Sequence, residues 1–240
     1  MPIASLDALR IHREIRAYFK GQFKSGNKGY PLTRGGADLE PGSKTPAARL
    51  ARERKRAAGQ GLLMELQGSY TDILEQGVRV LNQSSRGRVG NCTEMAYAAA
   101  YLARCYGTGV PWIGCIGKPG DHVFCILGTA TAPNFTRVQD MFLDYRGAWV
   151  IDPWANTCCL LRDYAQQFIQ RMNKWTAEGK RIWDYDKESW VTPSSPAYLN
   201  GFLSGPLRYR PVPRLMHRAI AIRPPVDPDQ HVIDIYLPFD

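Results

Sequence analysis

The sequence predicts an α+β domain, with helices first and a mostly antiparallel sheet after them. Three observations predict it. Apolar residues recur at helical spacing in the N-terminal half. From residue 110 onward, short segments rich in β-branched and aromatic residues take over, and these strands cluster after the helices. The 240 residues are 44% hydrophobic and 11% aromatic, enough for one sizeable core. No apolar run reaches the roughly 18 residues that a bilayer span requires.

Residues 5–20 read as a helix. Ser5 caps it, Asp7 lies in its first turn, and Ile11, Ile15, Tyr18 and Phe19 make one apolar face. Residues 21–47 are rich in Gly, Pro, Ser and Lys and read as loop or linker. "ARLARERKRAAGQG" (48–61) holds much of the formal net charge of +9. No aromatic residue interleaves it and no nucleic-acid motif accompanies it. It is therefore expected to be a solvated basic linker, with no specific nucleic-acid partner. Residues 1–60 are set apart as an N-terminal helix and basic flexible segment, a candidate delivery or docking region, and 61–240 as the compact domain.

That domain opens with "SYTDILEQGVRVL". Ser69, with Asp72 three residues on, forms a cap signature ahead of Ile73, Val78 and Leu81. After a polar loop comes "GNCTEMAYAAAYLARC" (90–105). Asn91 is a strong N-cap residue, and Glu94 three positions later makes a variant of the capping box. The helix is thus predicted to start at Cys92, with Met95, Ala98, Ala99, Leu102 and Tyr106 on one face. "VPWIGCIG" (110–117), "DHVFCILG" (121–128) and "GAWVID" (147–152) read as strands, and "LLRDYAQQFIQRM" (160–172) returns to helical spacing. The tail from 176 to 230 reads as Pro-rich loop, with a last strand at "HVIDIYL" (231–237).

The helix start gives Cys92 its interest. A thiolate there meets unpaired backbone N–H groups at the positive end of the macrodipole. The same N–H groups can stabilise an oxyanion beside the sulfur. A thiol nucleophile needs a base, and the base an orienting group. His122 stands at the mouth of an apolar strand, with Phe124 and Ile126 on its face. Asp152 ends another strand, where Pro153 stops it. A carboxylate there can hold an imidazole through Nδ1–H. Each of these two has a plain alternative, a strand-end histidine and a turn aspartate. Together with Cys92 they form a Cys-His-Asp series, each member at the end of an element.

"GNCTEMA", "DHVFCILG" and "WVIDPWAN" resemble the catalytic segments of papain-like and transglutaminase-like thiol enzymes, and most of all bacterial effector and toxin domains of that fold. The resemblance covers roughly residues 83–157. It implies a papain-like/transglutaminase-like fold, with the catalytic Cys at the N-terminus of a core helix packed on the sheet. It implies Cys92 as nucleophile, His122 as base and acid, and Asp152 as orienter. Gln83 and Asn82 are the candidates for a side-chain oxyanion donor, beside the N–H groups of Cys92 and Thr93. The "CGSCW" pattern of papain is absent. The expected activity is attack on an amide of a target protein, most of all glutamine deamidation. The alternatives are proteolysis, transglutamination, a peptidoglycan amidase or endopeptidase, and an inactive binding module. The expected partners are a protein substrate in a target or host cell and a chaperone or immunity protein. The expected setting is a soluble protein acting in a reducing cytoplasm after delivery by a signal-peptide-independent route.

No cofactor and no metal are expected. The six cysteines include no C-x-x-C pair, and the four histidines are scattered. Reduced thiols are expected, with Cys158 and Cys159 as small buried hydrophobes. Trp154 is expected to be core packing more than a shield over the Asp–His bond. His217 and His231 read as surface residues. Arg137, Arg146 and Arg162 can recognise an acidic partner, but nothing singles them out.

Overall fold

A computed structural model describes residues 3–20, 27–29, 47, 59, 62–64, 66, 72–83, 88–184 and 188–214. The basic run at 48–58, Ser69, His217, His231 and the strand expected at 231–237 lie outside the described residues. What is described is mixed helix and antiparallel sheet, as the sequence predicts.

Helix α1 (Ile3–Tyr18) starts two residues earlier than its spacing predicts. Ser5 is therefore inside the helix and buried, and it is not the cap. The apolar face is as expected: Ala8, Ile11, Ile15, Tyr18 and Phe19 are all buried. They share one core with Val150 and Ile151 of the sheet. The packing thus joins α1 to the core that the sequence assigned to residues 61–240.

Helix α2 (Ile73–Leu81) is capped by Asp72, whose side chain accepts from the Leu74 N–H at 2.6 Å. Helix α3 (Cys92–Cys105) begins where N-x-x-E predicts. Glu94 Oε2 accepts from the Asn91 N–H at 2.7 Å, closing the capping box. The run of alanines lets neighbours approach α3 closely. A Cβ on Gly77 of α2 would lie 2.6 Å from the Tyr97 carbonyl oxygen of α3. Only glycine fits at that crossing.

The main sheet has five strands: β2 (Trp112–Ile116), β3 (His122–Leu127), β4 (Trp149–Asp152), β5 (Thr157–Leu160) and β8 (Leu207–Pro211). Their order is β5-β4-β3-β2-β8, antiparallel throughout. Gly114 pairs with Phe124 across β2 and β3. A Cβ at 114 would meet the Phe124 ring at 2.7 Å, so the ring occupies the space that the glycine leaves. α3 packs against α2, β2, β3 and β4.

Helix α4 (Tyr164–Ala177) follows a single 3-10 turn, where a helix is expected at 160–172. Beyond it the tail departs from its reading as loop. Then come β6 (Arg181–Asp184), β7 (Ser189–Val191) and helix α5 (Pro196–Ser204), before β8 closes the sheet edge beside β2. β6 sits between β7 and a two-residue β1 (Lys28–Gly29) in a second sheet. These strands are short, and prolines flank the last helix and strand, so periodicity has little length to act on. β5 was missed for the same reason. Its Cys158 and Cys159 are half-buried against the core rather than fully inside it.

Candidate active site

Each expected member of the triad sits where its element ends. Cys92 is the first residue of α3, His122 the first of β3 and Asp152 the last of β4. β3 and β4 are adjacent and antiparallel, so the start of one meets the end of the other. This brings His122 and Asp152 together: Nε2 of His122 lies 2.8 Å from Asp152 Oδ2. The Cys92 side chain lies close enough to His122 to help raise its ring. The sequence reading placed the carboxylate on Nδ1. The structure places it on Nε2 instead.

Asp152 is held by three donors. Besides His122, the Tyr164 hydroxyl donates to Oδ2 at 2.9 Å, and the Ala155 N–H donates to Oδ1 at 3.0 Å. Burial alone would raise this carboxyl. The charge and hydrogen bond of His122, with the Ala155 and Tyr164 donors, outweigh burial and hold it below its ordinary value. On His122, burial favours the neutral ring, but the charge and hydrogen bond of Asp152 and the proximity of Cys92 win. They push the imidazole up to about 10. The two directions agree: His122 and Asp152 are a buried ion pair.

An aromatic box closes around that pair. Ring centroids of Trp154, Phe168 and Phe202 lie 5.0, 5.4 and 5.8 Å from His122. Phe168 and Phe202 stack at 3.5 Å. Trp154 is both core packing and a wall over the Asp–His bond. Exposure falls inward along the triad, 7% at Cys92, 2% at His122 and none at Asp152. Cys92 is therefore the most exposed of the three residues.

The loop before His122 is also fixed. A Cβ on Gly201 of α5 would lie 2.7 Å from the Pro119 carbonyl oxygen, and one on Gly205 would lie 2.8 Å from that of Gly117. α5 thus lies backbone to backbone on the loop that delivers His122. Asp121, next to His122, has φ of +108°, a region costing a non-glycine residue about 1–3 kcal/mol.

The oxyanion candidates divide. Gln83 spends its amide on the loop before α3: Nε2 donates to the Val80 and Val89 carbonyls at 3.0 and 2.8 Å, and Oε1 accepts from the Val89 N–H at 2.9 Å. Asn82 is an exposed C-cap residue of α2. The helix-start N–H groups of Cys92 and Thr93 remain beside the sulfur, and first-turn N–H groups have no intrahelical partner.

Sequence reasoning missed Tyr164, Phe168 and Phe202. The first two lie in the helix expected at 160–172, on the face that its spacing buries, so their burial was legible and their contact with the triad was not. Phe202 lies in a tail read as loop. Tyr198, one helical turn before Phe202, is half-buried. Burial, then the proximity of Cys92 and Asp152, raises its hydroxyl well above its ordinary value.

All six cysteines are free. Burial pushes up the thiols of Cys105, Cys115, Cys125, Cys158 and Cys159, that of Cys158 to about 12. Among the described residues, no group of three or more His, Cys, Asp or Glu could hold a metal ion, and no helix is long and apolar enough to cross a membrane. Arg146 is tied to Asp144 at 2.9 Å, Arg162 lies 3.9 Å from the exposed Asp163, and Arg137 precedes the 3-10 turn at 138–143. The three do not form one site with the triad. Comparison with protein-family models, curated proteins and solved structures gives no match.

Proposed function

We propose that this protein is a thiol-dependent amide hydrolase of papain-like/transglutaminase-like type, with Cys92 as nucleophile, His122 as base and acid, and Asp152 as orienter. The observation that carries the reading is the bond from His122 to a fully buried Asp152 held by three hydrogen-bond donors, with Cys92 at the ring. His122, held as an imidazolium by Asp152, stands beside the sulfur, and Cys92 reacts as the thiolate paired with it. The thiolate adds to the amide carbonyl, and the Cys92 and Thr93 N–H groups stabilise the oxyanion. His122 returns its proton to the departing nitrogen, which leaves as an amine or ammonia. Water, deprotonated by His122, then cleaves the thioester to the acid and restores the thiol.

We read the amide as a glutamine side chain of a target-cell protein. A Cys92 residue exposed by only 7% takes a projecting carboxamide more readily than an extended main chain laid along a cleft. The likeness of the three catalytic segments to effector and toxin domains supports a protein target. The test is the intact mass of candidate targets incubated with the protein. Exchange of one amide for one acid, absent with Cys92→Ala, is the expected result. Fragments would replace deamidation by proteolysis, and full activity in Cys92→Ala would overturn the mechanism.

A further inference from the structure

The N-terminal segment touches the turn after Asp152 at three points. Arg16 of α1 donates to the Pro153 carbonyl at 3.2 Å. Lys28 of β1 donates to the Trp154 carbonyl. The Trp154 indole N–H donates to Asn27 Oδ1 at 3.0 Å. Asn27 is itself buried and tied to β6, since its carbonyl accepts from the Trp183 N–H at 2.7 Å. The Lys28 ammonium lies 4.5 Å from the Trp154 ring centroid and 4.7 Å from that of Trp175. Such cation–π contacts strengthen where water is kept out.

The other side of the site is braced too. Phe19 fills the space over Gly90, where a Cβ would come within 3.1 Å of the ring, and Gly90 precedes the cap of the nucleophile helix. Arg88 donates to the Tyr18 carbonyl at 3.0 Å. His12 of α1 also lies within the field of Asp152. Burial and then Arg16 push its ring down to about 4, so near neutral pH it adds no charge to compete with His122.

We propose that Arg16, Asn27 and Lys28 act together as a positioning strap for the triad, with Asn27 and Lys28 fixing Trp154 and, through it, the Asp152–His122 bond. The proposal rests on Asp152 being the group that orients His122. The segment that composition marks as a delivery or docking region is then part of the catalytic apparatus. Three polar contacts converge on two consecutive residues that follow the carboxylate. Core packing of α1 alone requires none of them, because its apolar face is already satisfied by Ala8, Ile11 and Ile15.

The test uses the full chain with Asn27→Leu, which removes the acceptor for Trp154, Asn27→Asp, which retains an acceptor, and Lys28→Met, which keeps the stem and removes the ammonium. The first readout is the downfield proton resonance of His122 Nε2–H, which reports the bond to Asp152 and not catalysis. The second is the rate of Cys92 alkylation by iodoacetamide as a function of pH. Asn27→Leu and Lys28→Met are expected to broaden or shift the resonance and to slow alkylation about tenfold or more, since small displacements of reacting groups are amplified. Asn27→Asp is expected to keep both. An unchanged resonance and pH profile in Asn27→Leu and Lys28→Met overturns the strap, as does equal loss in Asn27→Leu and Asn27→Asp. Should Asn27→Leu not fold, Lys28→Met decides by the same two readouts. Wild-type alkylation tests the catalytic reading by itself: an unreactive Cys92 with an intact, strap-dependent resonance removes the enzyme and leaves the strap.

Discussion

Asp152 carries the most constrained chemistry in the molecule. It is fully buried, yet it stays ionised because three donors replace the water it lost. Tyr164→Phe removes one of them. Hydrogen bonds to charged groups are worth about 1.5–3 kcal/mol, so chemical denaturation is expected to show a loss of that size. Activity is expected to fall with little change in KM, because the hydroxyl touches Asp152, the group proposed to orient His122. Normal stability in this variant would show that Tyr164 contributes nothing to holding the carboxylate. None of this was legible in the sequence, although Cys92, His122 and Asp152 were. Those three stand at element ends marked by a cap signature, a strand mouth and a proline stop. Tyr164 has no such mark. Its role comes from α4 folding over the end of β4, which only the three-dimensional path supplies.

At the scale of the element, helix α3 is set by two devices. One is the Asn91–Glu94 box, and the other is the close crossing of α2 at Gly77. Gly77→Ala places a methyl group 2.6 Å from the Tyr97 carbonyl oxygen. Overpacking of this kind costs about 1–3 kcal/mol, and a lowered urea midpoint is expected. A neutral or stabilising effect would mean that the helices separate freely. Asp72→Ala removes the α2 cap, with an expected loss of about 1 kcal/mol by the same measurement. The elements best read from sequence, α1, α3, β3 and β4, have a strong cap or a long apolar pattern. The poorly read ones, β5 to β8 and α5, are short, and β6 and β8 take their places by pairing with strands distant in the chain. Local periodicity has no access to such pairings.

For the whole molecule, the buried ion pair ties stability to pH. His122 rises on folding from 6.5 to about 10. A raised value contributes stability that is complete below about 6.5 and is lost as pH rises through about 10. Asp152 is lowered from 3.8, so its contribution is present above that value and is lost as pH falls below it. The wild-type melting temperature is therefore expected to fall on both sides of this window. In Asp152→Asn the alkaline fall is expected to shrink, because the ring has lost the charge that raised it. An alkaline limb of equal steepness in both proteins would show that His122 is not held charged by Asp152.

The central claim is that Cys92 is an activated nucleophile paired with His122. The most direct measurement is site-resolved mass spectrometry of all six thiols during brief exposure to iodoacetamide at about pH 6, where an ordinary thiol is almost wholly protonated. The account predicts that Cys92 is labelled first and nearly alone, and that His122→Ala removes this preference. Equal, slow labelling of all six thiols, or Cys92 labelling that His122→Ala leaves unchanged, would contradict it.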